Sequence, residues 1–102
     1  MTAPDYTNAA QQRILRLALL LAGHEITGVA PAQIGREQDC PAPMVTRDLA
    51  NLLTAGWAEE VPETGRWRLA PKVVQMSVQH AAALDRATRK LDEIAQRYSR
   101  QG

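Results

Sequence analysis

Between Pro43 and Thr54 the chain places Pro43, Met44, Thr46, Arg47, Asn51 and Thr54 at intervals of one to four residues. Residues spaced in this way share one broad face of a helix. Side chains of these types are among those that can meet base edges. A guanidinium can bridge O6 and N7 of guanine, a carboxamide can bridge N6 and N7 of adenine, and small apolar groups can meet a thymine methyl. Arg47 is therefore assigned to a guanine edge and Asn51 to an adenine, with Pro43, Met44 and Thr46 completing the base-reading set. Thr54 and the cations Arg66, Arg68 and Lys72 are expected to contact the phosphate backbone, which positions a protein without selecting a sequence.

The charge distribution supports an anionic partner more than the total does. The net charge of the 102 residues is +1, but residues 1 to 63 hold four basic and eight acidic side chains, whereas residues 64 to 102 hold eight and three. Arg66, Arg68 and Lys72 follow Glu63 with no further acid before Asp85, so a local positive patch is expected there. Other chemistries find little support. The single cysteine, Cys40, cannot form an internal disulfide and lacks the CxxC or histidine partners of a zinc site. His24 and His80 stand in no recognisable catalytic motif, and no glycine-rich phosphate loop occurs. Glu59 and Glu60 look like a carboxylate pair, but neighbours on a strand point to opposite faces. No enzyme activity, cofactor, metal or small-molecule effector is expected. The longest apolar run, Leu17 to Gly23, falls short of the roughly 20 residues that span a bilayer. Asp5 stands where a signal peptide would be basic. A cytoplasmic protein is the expectation.

At this length one globular domain is expected, and 45% apolar with 23% charged residues is the composition of a chain that folds. Met1 to Asn8 reads as a lead-in. Residues 9–22 form a first helix capped by Thr7 or Asn8 and stopped at Gly23. Its second half is apolar on nearly every side, so part of it should meet the core and part a partner subunit or the C-terminal helix. After Ile26 to Val29, read as a loop, a short helix begins at Pro31 and ends near Gln38. A third helix follows, with Pro41 and Pro43 at its start and Gly56 just past its end; Val45, Leu49 and Leu52 are its buried stripe, Leu53 lies beside them, and the face described above points away. Two short helices joined by a tight turn make a helix-turn-helix.

The runs Trp57 to Val61 and Arg66 to Ala70 then read as strands joined by a turn containing Gly65. Trp57, Val61, Trp67 and Leu69 are expected to form the apolar side of this hairpin, with Arg66 and Arg68 on the other. A hairpin directly after a helix-turn-helix is a wing. The fold class is thus mostly α with a small β-hairpin, a winged helix-turn-helix followed by one long helix.

From about Gln12 to Met76 the sequence resembles the N-terminal DNA-binding domain of the IclR family of bacterial transcription regulators. The resemblance rests on Ile34, on Pro41-Ala-Pro-Met-Val-Thr-Arg47-Asp48-Leu49-Ala-Asn-Leu52, on Gly56-Trp57-Ala58, and on Gly65-Arg-Trp67-Arg-Leu69-Ala70-Pro71. It implies sequence-specific binding of double-stranded DNA by a dimer, with the third helix in the major groove and the wing on the flanking backbone. Three departures are plain. Ala42, Pro43 and Met44 replace a polar opening of the recognition helix, Asp48 stands where an apolar residue is common, and the family's effector-binding domain is not expected.

Residues 71–98 read as a long helix with no internal Gly or Pro after Pro71. Leu84, Ala87, Leu91, Ile94 and Tyr98 recur at spacings of three and four, a two-heptad a/d seam suited to self-association; folding back on the first helix is the alternative. His80 lies on the upstream continuation of the seam. Residues 9–70 are thus expected to form the DNA-binding domain and residues 71–98 the dimerisation element. The functional expectation is a bacterial or phage transcription regulator acting as a homodimer at an operator. The alternative is a winged helix that binds protein and not DNA.

Overall fold

A computed structural model describes residues 3–100. Along the chain lie α1 (Ala9–Leu21), α2 (Pro31–Gln38), α3 (Ala42–Thr54), β1 (Ala58–Val61), β2 (Arg66–Leu69) and α4 (Pro71–Ser99). The chain divides after Ala70 into two compact units.

In the first unit, local chemistry explains where each helix starts and stops. Asn8 caps α1 by accepting the Gln11 N–H on its side chain at 3.1 Å, satisfying a donor that the first turn cannot pair. Just upstream, the Thr7 amide and hydroxyl both donate to Asp5 Oδ1, at 2.9 and 2.7 Å. These bonds, the hydroxyl's first, hold the Asp5 carboxyl below its ordinary pKa. Pro31 opens α2, where its missing N–H costs nothing. Asp39 ends α2 with φ of 50°, and the Cys40 N–H returns to the Gly35 carbonyl at 3.0 Å. Pro41 starts α3 immediately, so the turn between the two helices is only Asp39 to Pro41. Gly56, at φ of 81°, closes α3, and the Trp57 N–H caps the Leu52 carbonyl at 2.8 Å.

The core is small and drawn from every element of this unit: Leu17, Ala18 and Leu21 of α1, Ile34 of α2, Val45, Leu49 and Leu52 of α3, then Ala58, Leu69 and Val29. The Val45, Leu49, Leu52 stripe expected of α3 is buried, whereas Leu53 is 51% exposed. α1 buries only one side: Leu15 and Leu19 remain 54% and 77% exposed.

Strands β1 and β2 pair antiparallel, with Ala58 opposite Leu69, Glu59 opposite Arg68, Glu60 opposite Trp67 and Val61 opposite Arg66. Directly opposed residues share a face, which corrects the expected sidedness. The buried side carries Ala58 and Leu69, with Trp67 half-buried beside them, while Val61 falls on the arginine side. The segment read as a loop also contributes. Val29 pairs with Trp67, donating to its carbonyl at 2.7 Å and accepting its N–H at 2.9 Å. Gly28 makes this possible. Its φ is 76°, and a Cβ there would lie 2.9 Å from the Arg66 Cβ and 3.0 Å from the Trp67 carbonyl oxygen.

The second unit is α4, a single helix of 29 residues and roughly 43 Å at 1.5 Å per residue. Arg89 pairs with Asp85 and Lys90 with Glu93 along its surface.

Candidate nucleic-acid interface

The outward side of α3 is the first part of the site. Pro43, Met44, Thr46, Arg47, Asn51 and Thr54 are all exposed, as are Ala42 and Ala50 between them. The Thr46 hydroxyl donates to the Ala42 carbonyl at 3.1 Å, and Asn51 Nδ2 donates to the Arg47 carbonyl at 2.9 Å. Both are local bonds to the preceding turn, and a base edge could exchange for them by side-chain rotation. Among the described residues, no side-chain hydrogen bond or ion pair engages the Arg47 guanidinium.

What fixes this face outward is Asp48, the acid that stands where an apolar residue is common. It is 5% exposed. It meets Arg13 of α1 in a two-pronged pair, Nε to Oδ2 at 2.6 Å and Nη2 to Oδ1 at 2.9 Å. The fork of the guanidinium matches the carboxylate in plane and direction. The hydrogen bonds to Asp48 raise the Arg13 pKa above its ordinary value, so its charge is secure. With Asp48 anchored inward, α3 cannot roll without breaking a buried pair, and Arg47 and Asn51 stay on the solvent side. No signal within either helix announces a partnership 35 residues apart.

The hairpin is the second part. Arg66 and Arg68 lie on one of its faces, as expected, but neither is free. Arg68 Nε donates to Glu59 Oε1 at 3.0 Å, and Arg66 Nη1 reaches the Gly28 carbonyl at 3.5 Å. The expected positive patch is therefore broken by a carboxylate on the paired strand, which a reading along the chain does not see. Lys72 is exposed in the first turn of α4, in the other unit, and Leu84, Ala87, Leu91, Ile94 and Tyr98 are exposed along α4.

Among solved structures the chain is similar to an IclR family transcriptional regulator from Brucella abortus, with a TM-score of 0.64 and 16% identity, over 80% of this chain and 31% of that one. The fold is a winged helix. The chain thus spans about a third of the Brucella protein. It also matches a cysteine-to-serine mutant of ZitR from Lactococcus lactis with a TM-score of 0.49 and 19% identity, over 95% of this chain and 66% of that one. No family model and no curated protein matches.

Within this winged helix, α2 and α3 are the helix-turn-helix, and β1, β2 and Val29 make the wing and its root. Among the described residues, no group of three or more His, Cys, Asp or Glu side chains is placed to hold a metal ion. None of the described helices is long and apolar enough to cross a membrane.

Proposed function

We propose that this chain is a DNA-binding transcription regulator of bacterial or phage origin that occupies an operator as a homodimer in the cytoplasm. Residues 9–70 form the DNA-binding domain. In this reading α3 enters the major groove with Pro43, Met44, Thr46, Arg47 and Asn51 toward base edges, while Thr54, Arg66, Arg68 and Lys72 touch the backbone. Residues 71–98 join two copies through Leu84, Ala87, Leu91, Ile94 and Tyr98. The observation that carries the reading is the outward face of α3, where an unengaged arginine and an asparagine stand one helical turn apart among small apolar groups. Proteins of similar fold include one whose name makes it a transcriptional regulator.

An electrophoretic shift with random genomic fragments at low and moderate salt tests it. A DNA binder shows at least a salt-sensitive non-specific association, and its absence at every salt concentration overturns the proposal. One observation favours a second reading, a protein-binding module. The exposed face of α3 carries a single cation, Arg47, and includes Ala42, Pro43, Met44, Ala50 and Leu53, a composition also suited to a protein surface.

A further inference from the structure

The wing is less cationic than a reading of β2 alone suggests. From Ala58 to Leu69 it holds Glu59, Glu60 and Glu63 against Arg66 and Arg68. The register sets Glu59 directly opposite Arg68 on the same face. Their side chains, 37% and 31% exposed, sit at the boundary with solvent and touch at 3.0 Å. A pair in that position is neither sealed from water nor lost in it. Salt weakens it, and an incoming anion can reach it. Only Nε of Arg68 is taken by Glu59. A guanidinium has five donors, so the terminal nitrogens remain available to a second acceptor.

We propose that Glu59 is an internal counterion that a DNA phosphate must displace or share in order to use Arg68, and that it thereby sets how much of the binding is independent of sequence. The inference rests on the DNA-binding reading above. A phosphate neutralised by a free arginine releases about 0.9 of a condensed cation from duplex DNA. Where the arginine already has a carboxylate partner, that gain is offset by the broken pair or by repulsion between carboxylate and phosphate. The wing then adds little affinity to a random duplex, and a larger share of the binding falls to the base contacts of α3. Glu59 in this account is a specificity-determining residue that touches no base.

The test is fluorescence anisotropy with random-sequence duplexes of about 30 base pairs, titrated across salt, on the full chain and three variants. Glu59→Gln keeps the size and the acceptor oxygen while removing the charge. It is expected to tighten non-specific binding about 3- to 10-fold at ~0.1 M salt and to steepen the slope of log K against log salt by about one unit per subunit. Glu59→Thr, a strand-favouring residue without charge, is read in the same way, and melting curves confirm that both variants fold. Adding Arg68→Gln to Glu59→Gln should erase the gain. The inference is overturned by an unchanged slope in both Glu59 variants, or by the same gain when Arg68 is absent. A parent chain that binds no duplex at any salt concentration overturns the DNA-binding reading and this inference with it. A parent that binds and is indistinguishable from its Glu59 variants overturns the inference alone.

Discussion

Arg47 and Asn51 show how residue chemistry and fold combine. A guanidinium on a helix surface is common; one held on the solvent side by the buried stripe and the inward Asp48, with a carboxamide one turn further along, would on the proposed reading meet base edges. On the proposed reading, Arg47→Ala loses about 1–3 kcal/mol on the preferred site and relaxes the preference at one base pair, as measured by competition among single-substitution duplexes. An equal loss on every sequence would make Arg47 a phosphate anchor instead. The exposure of these residues was legible in the sequence, because helical periodicity separates them from Val45, Leu49 and Leu52. The roles of Asp48 and Glu59 were not. Each depends on a partner brought close by folding, Arg13 from another helix and Arg68 from the paired strand, and no pattern within one element encodes such a meeting.

Among the elements, α1 and α3 are joined by packing and by the Arg13–Asp48 pair, and the two contributions can be separated. Arg13→Met leaves a carboxylate buried without a partner, which is strongly destabilising. A fall in melting temperature of more than about 10 °C is expected, measured by circular dichroism. Arg13→Met combined with Asp48→Leu removes both charges and should recover most of that loss, since replacing a buried pair by apolar groups is often neutral or better. A double variant as unstable as the single one would mean that the pair, and not the stranded charge, carries the energy. The helix limits were legible because Asn8, Pro31, Pro41 and Gly56 are chemical signals for starts and stops. The sidedness of the hairpin was harder. Counting Trp57 as a strand residue grouped Val61 with the core face, whereas the pairing across the turn sets Val61 against Arg66. The single-residue strand at Val29 has no alternation to read, and only its partner Trp67 defines it.

For the whole molecule, the proposed function raises the question of how one small domain would find an operator in a genome. In that reading a single copy would offer only the few base contacts of α3 and a wing in which Arg68 is already paired with Glu59, too little for selection. On the proposed reading, two copies joined through α4 would turn the second contact into an intramolecular one and raise the effective affinity without new chemistry. The operator is then an inverted repeat, its half-sites about one helical turn or a multiple of it apart. Leu84→Glu with Leu91→Glu puts charge at two seam positions that are 57% and 67% exposed in one chain, so the first unit should still fold. Light scattering is expected to show a monomer that keeps weak non-specific binding and loses operator selectivity. A variant that stays dimeric would exclude the seam as the interface, and a monomer that binds its operator as tightly as the parent would exclude the dimer mechanism.

The Val29–Trp67 bridge has a consequence for the order in which the protein assembles. It closes a loop of about 38 residues that contains all of α2 and α3. Closing a free loop of that length costs about 3 kcal/mol, against a net return of about 1–3 kcal/mol from its two main-chain hydrogen bonds. Its hydrogen bonds therefore gain little until the two helices have packed and drawn its ends together, and closure of the wing root, with the burial of Val29, is expected to follow the packing of α2 and α3. Amide hydrogens of Val29 and Trp67 should exchange with solvent sooner than those of Leu49 and Leu52, which lie in the helical core. On the proposed DNA-binding reading, that order would give the helix-turn-helix its form ahead of the wing that flanks it.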